Sequence, residues 1–283
     1  MTALASPLVD AVTLAGELSG DRPPIVLDVR FTPLTGADRA GYRAAHIPGA
    51  VFVDLDRDLA GAVGPTTGRH PLPDLAVLQA FARSWGMGPD SAVVVYDDGP
   101  ATSAARAWWL LRWAGHADVR VLDGGLAAWV AAGGRTTADV PEPDYGDVEL
   151  RGGHLPVVEV DDVAAAAREG VLIDVRAAER YRGETEPIDP VAGHVPGAIN
   201  APAPGNTGAD SRFQPATALR ERFTDLGVRA GAPVTAMCGS GVVAAQTVLA
   251  LEVAGIPSAL FVGSWSQWIS DPDRPIAVGE SAQ

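Results

Sequence analysis

The chain has 283 residues, 47% of them hydrophobic, and a formal net charge of −14. That length allows two ordinary domains or one large one with packed cores, and the acidic balance, without basic stripes or tails, argues against nucleic acid or a membrane surface as partner. All 21 basic residues are arginine, which removes lysine Schiff-base chemistry and a Walker-type phosphate loop from consideration.

No apolar run reaches the roughly 18 residues of a membrane span. The start, Met1-Thr-Ala-Leu-Ala-Ser-Pro7, lacks the basic and long apolar stretches of a signal peptide. A cytoplasmic location is expected. The single cysteine, Cys238, allows neither an intramolecular disulfide nor a resolving partner in the same chain.

Along the chain, short apolar runs alternate with helix-period stretches. Strands are predicted near 24–29, 92–97 and 119–122, with helices near 75–85, 103–114 and 125–132. Residues 136–146, rich in proline and acid and without periodicity, read as a linker. Strands then follow near 171–175, 234–237 and 258–261, with helices near 161–168, 215–225, 242–254 and 264–269. The two halves share motifs. Ile25-Val-Leu-Asp-Val-Arg30 returns as Leu172-Ile-Asp-Val-Arg176, His46-Ile-Pro-Gly-Ala50 as His194-Val-Pro-Gly-Ala198, and Asp123-Gly-Gly-Leu-Ala-Ala-Trp129 as Val262-Gly-Ser-Trp-Ser-Gln-Trp268. Repeat distances of 146, 148 and 139 residues describe two whole domains rather than a solenoid, each an α/β domain with a mainly parallel sheet.

Cys238 stands where the strand ending at Met237 meets the helix starting at Val242. A lone cysteine is ordinarily a small core residue, but Gly239 and Gly241 on either side of Ser240 let the loop curl its amides inward, and the helix start adds further N–H groups. Such a nest holds an anion and favours a thiolate or persulfide.

Cys238-Gly-Ser-Gly-Val242 resembles the active-site loop of the rhodanese-type sulfurtransferases, their 3-mercaptopyruvate branch in particular, with Val243 where that pattern has threonine. The Asp-Val-Arg, His-Val-Pro-Gly-Ala and Gly-Ser-Trp-Ser-x-Trp elements resemble the family too, so the resemblance runs nearly end to end. It implies two tandem rhodanese-like domains, each a mainly parallel sheet flanked by helices: an N-terminal domain over 1–136 without a nucleophile, a linker over 137–156, and a catalytic domain over 157–283. Laying one copy on the other puts Asp97 where Cys238 stands. Asp98-Gly99-Pro100 is expected not to reproduce the Gly-Ser-Gly loop, leaving one active site per chain.

His46 and His194, like Asp28 and Asp174 and like Arg30 and Arg176, occupy matching places in both copies, so a structural role is expected of all six. Residues that break the repeat are better candidates for chemistry: Ser240 beside the sulfur, His70 on the loop Thr66-Thr-Gly-Arg-His70-Pro, and Asp56 before it. On its own His70 reads equally well as a solvated loop histidine. The resemblance implies that Asp56, His70 and Ser240 form a triad, which follows the nucleophile, base and orienter logic of acyl transfer but delivers protons. It also implies that Arg180 binds the substrate together with Gly239, Gly241, Val242 and Val243 around the sulfur. The family's second arginine falls on Asp189, whose carboxylate would repel an anionic donor and which is expected to turn away on its Pro-rich segment.

The expected function is transfer of a sulfane sulfur from a small anionic donor, through a Cys238 persulfide, to a thiol, cyanide or thioredoxin-like acceptor, with no metal or organic cofactor implied. The uncharged Gly239 and Ser240 favour 3-mercaptopyruvate over thiosulfate, because thiosulfate-specific members of the family carry basic residues there. A cysteine-dependent phosphatase would need a longer loop ending in arginine, which is absent here. A non-enzymatic sulfur-binding or interaction module is the remaining rival, since fold does not guarantee activity.

Overall fold

Strands buried on both faces need continuous apolar runs, and those runs form the centres of two parallel sheets in a computed structural model that describes residues 6–280. The described chain divides into two compact units. The first comprises the residues up to Gly61, Pro73–Leu155 and Ala209–Phe213; the second comprises Ala62–Leu72, Pro156–Gly208 and the residues from Gln214 onward.

In the first unit the chain runs β1 (Leu8–Val9), α1 (Ala11–Leu18), β2 (Ile25–Asp28), the hairpin of β3 (Phe31–Thr32) and β4 (Gly36–Ala37), α2 (Arg39–Ala44) and β5 (Val51–Phe52). It continues through α3 (Leu55–Asp58), α4 (Leu75–Ser84), β6 (Val93–Tyr96), α5 (Thr102–Trp113), β7 (Val119–Leu122) and α6 (Gly125–Ala131). The main sheet has the order β1-β7-β6-β2-β5, parallel throughout. Its central strand β6, Val-Val-Val-Tyr, is buried at every residue, and its Val94 and Tyr96 share a core cluster with Val9, Leu14, Val26, Ile47 and Trp129.

The second unit contains α7 (Val163–Glu169), β8 (Val171–Asp174), α8 (Ala178–Tyr181), β9 (Ile199–Asn200), α9 (Ala216–Asp225), β10 (Val234–Met237), α10 (Val242–Val253), β11 (Ala259–Leu260) and α11 (Ser264–Trp268). Its sheet order is β11-β10-β8-β9, again all parallel, with Leu172, Met237, Phe261, Trp265 and Trp268 in its core. Helices return the chain between parallel strands, as such connections require.

The repeated motifs build the same clamp twice. Asp28 pairs with Arg30 at 2.9 Å and Asp174 with Arg176 at 2.6 Å, all four buried. His46 Nδ1 meets the Tyr42 carbonyl at 2.7 Å and stacks on the Tyr42 ring at 4.0 Å; His194 does the same with Tyr181 at 2.7 Å and 3.7 Å. Each tyrosine hydroxyl donates across the turn, Tyr42 to the Ala50 carbonyl and Tyr181 to that of Ala198. These groups tie the loop after the second helix to the sheet in both units, which is the structural role expected of them.

Packing divides the chain differently from the repeat. Residues 137–156, expected as a linker, run along the first unit for most of their length: Thr137 exchanges backbone hydrogen bonds with His46 at 2.9 and 3.0 Å, and the amides of Gly146 and Val148 donate to the Arg83 and Met87 carbonyls. The Pro-rich segment lacks periodicity because it follows the surface of a finished domain, donating amides singly rather than forming an element. In the other direction, Ala62–Leu72 belongs by packing to the second unit.

Candidate active site

The second unit places Cys238 on the turn between β10 and α10, 3% exposed. Gly241 closes that turn with φ +79°, and a Cβ there would sit 2.1 Å from the Val262 carbonyl oxygen, so only glycine fits. The turn directs two amides at the sulfur: the N–H of Gly241 lies 3.1 Å and that of Ser240 3.4 Å from Sγ. The Gly263-Ser-Trp-Ser segment supports it from behind. Ser264 Oγ accepts the Cys238 N–H at 3.0 Å and donates to the Phe261 carbonyl at 2.8 Å, while the amides of Trp265 and Ser266 donate to the Cys238 and Gly239 carbonyls. Ser264 holds φ +52°, a left-handed conformation costly for a residue with a Cβ, and its two hydrogen bonds offset that cost.

The sulfur borders a cavity of about 480 Å³ lined by Arg176, Arg180, Pro202, Pro204, Gly239 and Val243 among others. A larger recess of about 660 Å³ lies in the first unit between α1 and the 133–143 segment, lined mainly by apolar residues, prolines and glycines. Beside the sulfur, charges alternate through six side chains. Asp174 pairs with Arg176, and Arg176 reaches Glu186 at 3.4 Å and lies over the Trp265 ring at 4.6 Å. Glu186 grips Arg180 at Nη2 and Nε, 2.6 and 3.0 Å; Arg180 Nη2 donates to Asp189 at 3.0 Å, and the other Asp189 oxygen accepts from Arg69 Nη1. Asp189 therefore does not turn away. Its side chain is 2% exposed, and the turn that carries it is fixed because the Ile188 and Asp189 amides donate to Glu186. Opposed to two guanidiniums, the aspartate orders the site's cations.

The corresponding turn in the first unit answers what replaces the cysteine. Leu126 N–H donates to the Asp97 carbonyl as Trp265 N–H does to that of Cys238, so Asp97 holds the same place. Asp98-Gly99-Pro100 does not reproduce the Gly-Ser-Gly turn, although amides still converge there from Gly99, Ala101 and the start of α5. The turn is one residue longer and ends on Ala101, left-handed at φ +62° as Gly241 is. The Asp97 carboxylate fills it, accepting from the amides of Gly99, Ala101, Ser103 and Ala104 at 3.0–3.2 Å and from the Ser103 hydroxyl. Burial pushes the Asp97 carboxyl up while these donors pull it down.

Among the other predicted residues, Gly239, Val243 and Arg180 line the cavity with Cys238, Gly241 and Val242 form the helix start, and Ser240 is buried beside the sulfur. His70, 8% exposed, sits on a loop that packs within the second unit. Gln267 Nε2 donates to the Thr66 carbonyl at 3.2 Å, the Arg69 amide donates to Ser266 Oγ at 3.0 Å, and a Cβ on Gly68 would meet the Gly263 oxygen at 2.4 Å. The histidine, expected as a contribution of the first domain, thus lies in the same compact unit as the cysteine. Asp56 belongs to the first unit, exposed on α3. Sequence reasoning passed over Arg69, whose guanidinium reaches Asp189 and whose Nη2 would be 2.9 Å from a methyl placed on Gly239. Burial pushes its pKa down, opposed most strongly by attraction to the Cys238 sulfur. Its signal was available: it is the residue before His70, on a loop of the first copy without a counterpart in the second.

Fold and site together define a duplicated α/β protein in which one copy presents a thiol to amide donors and the other has filled the equivalent nest with a carboxylate. The chain belongs to the rhodanese-like family: the Rhodanese-like domain matches residues 11–132 and again 159–271. As an enzyme it is a sulfurtransferase. It is 47% identical over 98% of its length to a Pseudomonas aeruginosa protein provisionally named a 3-mercaptopyruvate sulfurtransferase, with 99% of that protein covered. It is 44% identical to a Mycobacterium tuberculosis protein provisionally named thiosulfate sulfurtransferase SseB, covering 99% of both chains. The crystal structure of SseA from Escherichia coli, a 3-mercaptopyruvate sulfurtransferase, superposes with a TM-score of 0.81 at 32% identity, over 93% of this chain and all of that one. Among the described residues no helix is long and apolar enough to cross a membrane.

Proposed function

We propose that this sulfurtransferase takes its sulfur from 3-mercaptopyruvate and carries it as a Cys238 persulfide. The observation that carries the reading is the pair of amides directed at Sγ from Ser240 and Gly241, at the edge of a cavity sized for a small acid and bordered by Arg180. Amide dipoles fixed in place stabilise a thiolate, and afterwards a persulfide anion, without reorganising. The Cys238 thiolate attacks the donor's sulfur, forming an S–S bond as the donor's C–S bond breaks. The electron pair leaves on carbon as the enolate of pyruvate, which takes a proton to become pyruvate. An acceptor thiolate, cyanide or a thioredoxin-like dithiol then attacks the outer sulfur, and the Cys238 thiolate leaves.

Proton delivery is assigned to His70 and Ser240, both buried in the second unit, with Asp56 named as the third residue of the triad by resemblance to the family alone. Arg180 is assigned to the donor's carboxylate, and the uncharged Gly239 and Ser240 suit a carbonyl better than a sulfonate. The provisional name of the M. tuberculosis relative supports thiosulfate as the second reading.

The test is intact mass after incubation with donor alone: a gain of one sulfur, roughly 32 Da, lost on adding a thiol, as a covalent intermediate requires. Sulfur transfer by Cys238→Ser would sink the mechanism. Side-by-side rates decide the donor, with 3-mercaptopyruvate expected ahead by at least about tenfold in kcat/KM, or about 1.4 kcal/mol.

A further inference from the structure

We infer that Arg69 is the second guanidinium that receives the donor's anionic group, in place of the arginine that residue 189 does not provide, and that Asp189 is the counterion that holds Arg69 beside the sulfur.

Three arginines lie near Cys238, and their N–H groups are committed to different extents. Arg176 is spent within the protein: Nε and Nη2 on Asp174, Nη2 also on the Gly193 carbonyl, Nη1 on Glu186. Arg180 has Nε and Nη2 on Glu186 and Nη2 also on Asp189. Arg69 gives Nη1 to Asp189, and its Nη2 lies over Gly239, nearer to a methyl placed there (2.9 Å) than Arg180 Nη2 is (3.6 Å). Gly239 is the residue next to the nucleophile, so a group whose sulfur is within reach of Cys238 brings its charged end under these two nitrogens. A planar guanidinium fork is the side chain best matched to a carboxylate.

The backbone around Arg69 is also fixed. Its amide donates to Ser266 Oγ at 3.0 Å, in the same segment that supports the cysteine turn, and Asp189 is itself anchored to Glu186. Arg69 is one-third exposed on its side chain, open enough to exchange solvent for a ligand. Attraction to the sulfur is the largest favourable influence on its charge. An aspartate at 189, which reads in the sequence as a repulsive departure, has a positive function in this arrangement: without it, two guanidiniums would face each other across the donor site.

The inference rests on the donor reading above only for the identity of the acid, and two probes separate them. Alkylation of Cys238 is measured with iodoacetate, an anion, and with iodoacetamide, its neutral counterpart, in wild type, Arg69→Met and Arg69→Lys. The neutral probe reports thiol reactivity and loop integrity; the ratio of the two rates reports the cation. Arg69→Met is expected to lower the iodoacetate to iodoacetamide ratio about tenfold, the scale of one charge-assisted hydrogen bond, with Arg69→Lys recovering most of it. In turnover with 3-mercaptopyruvate, Arg69→Met is expected to raise KM about tenfold or more with kcat less affected. A ratio and a KM that stay within twofold of wild type overturn the assignment of Arg69 and leave the donor reading standing. A ratio that falls in a protein whose wild type does not turn over 3-mercaptopyruvate sinks the donor reading and leaves Arg69 as the anion receptor.

Discussion

Arg180 and the buried Asp189 form a partly buried ion pair, Nη2 to Oδ2 at 3.0 Å, and the same carboxylate also holds Arg69. Breaking a buried pair from one side leaves its partner uncompensated, at a cost of about 3–5 kcal/mol where the pair is isolated. Arg180 keeps Glu186 and Arg69 is partly solvated, so Asp189→Ala is expected to cost about 2 kcal/mol, read as a shift of the urea midpoint. A loss under about 0.5 kcal/mol, the size of ordinary surface substitutions, would mean that this carboxylate faces water.

Helices with a sustained apolar period (α4, α5 and α10) and the fully buried apolar strands β6 and β10 were legible in the sequence, falling within one or two residues of their predicted bounds. Elements such as β5, β9, α3 and α8, two to four residues long, were not, because they show neither a helical period nor a fully buried apolar run. In the site, Cys238 and its glycines were readable since a left-handed turn leaves a compositional mark. Asp189 was misread because the sequence gives its charge and not its partner, Arg69, 120 residues away. Ser264 was seen only as part of a repeated motif. Its hydroxyl is what holds the Cys238 amide, and the first copy has glycine at that place.

The two glycines flanking Ser240 are expected to behave differently. A methyl at Gly241 would collide with the Val262 carbonyl at 2.1 Å and demand φ +79° of an L-residue, and neither the backbone nor the angle can give. Gly241→Ala is expected to cost on the order of 2–4 kcal/mol and to abolish the sulfur mass gain on Cys238. A methyl at Gly239 would meet the end of a flexible side chain, Arg69 Nη2 at 2.9 Å. Gly239→Ala should therefore stay within about 1 kcal/mol of wild type in stability, and show its effect as a raised KM for anionic donors. Equal effects from the two variants in urea melts would refute this account of the turn.

Asp97 satisfies four amides and a hydroxyl inside the first unit. Asp97→Ala removes the acceptor from all of them, at about 1–3 kcal/mol for each donor left buried and unpaired, so a loss of at least about 3 kcal/mol is expected even after water enters. Asp97→Asn keeps one oxygen and should lose less. Asp97 has no part in the proposed chemistry, so the folded fraction of either variant should still gain one sulfur on Cys238 at the wild-type rate. A variant that keeps full stability would show that the first nest is not held by its carboxylate.

Proton handling gives the last prediction. His70 and Ser240 lie in one compact unit, both buried, and the proposed mechanism gives them a single task, protonating the enolate that leaves as the C–S bond breaks. Groups that share a step lose activity together rather than in sum. Ser240→Ala and His70→Ala are each expected to lower kcat with 3-mercaptopyruvate by about 10²–10⁴-fold, the usual size of general acid–base assistance, and the double variant should lose little more than the worse single one. Alkylation of Cys238 by iodoacetamide needs no proton at carbon and should stay within about threefold of wild type in all three proteins, a change of under about 1 kcal/mol in the barrier, which separates proton delivery from a collapsed loop. Multiplicative losses in kcat would show that the two residues serve different steps, and a parallel fall in alkylation would assign them to positioning the thiolate.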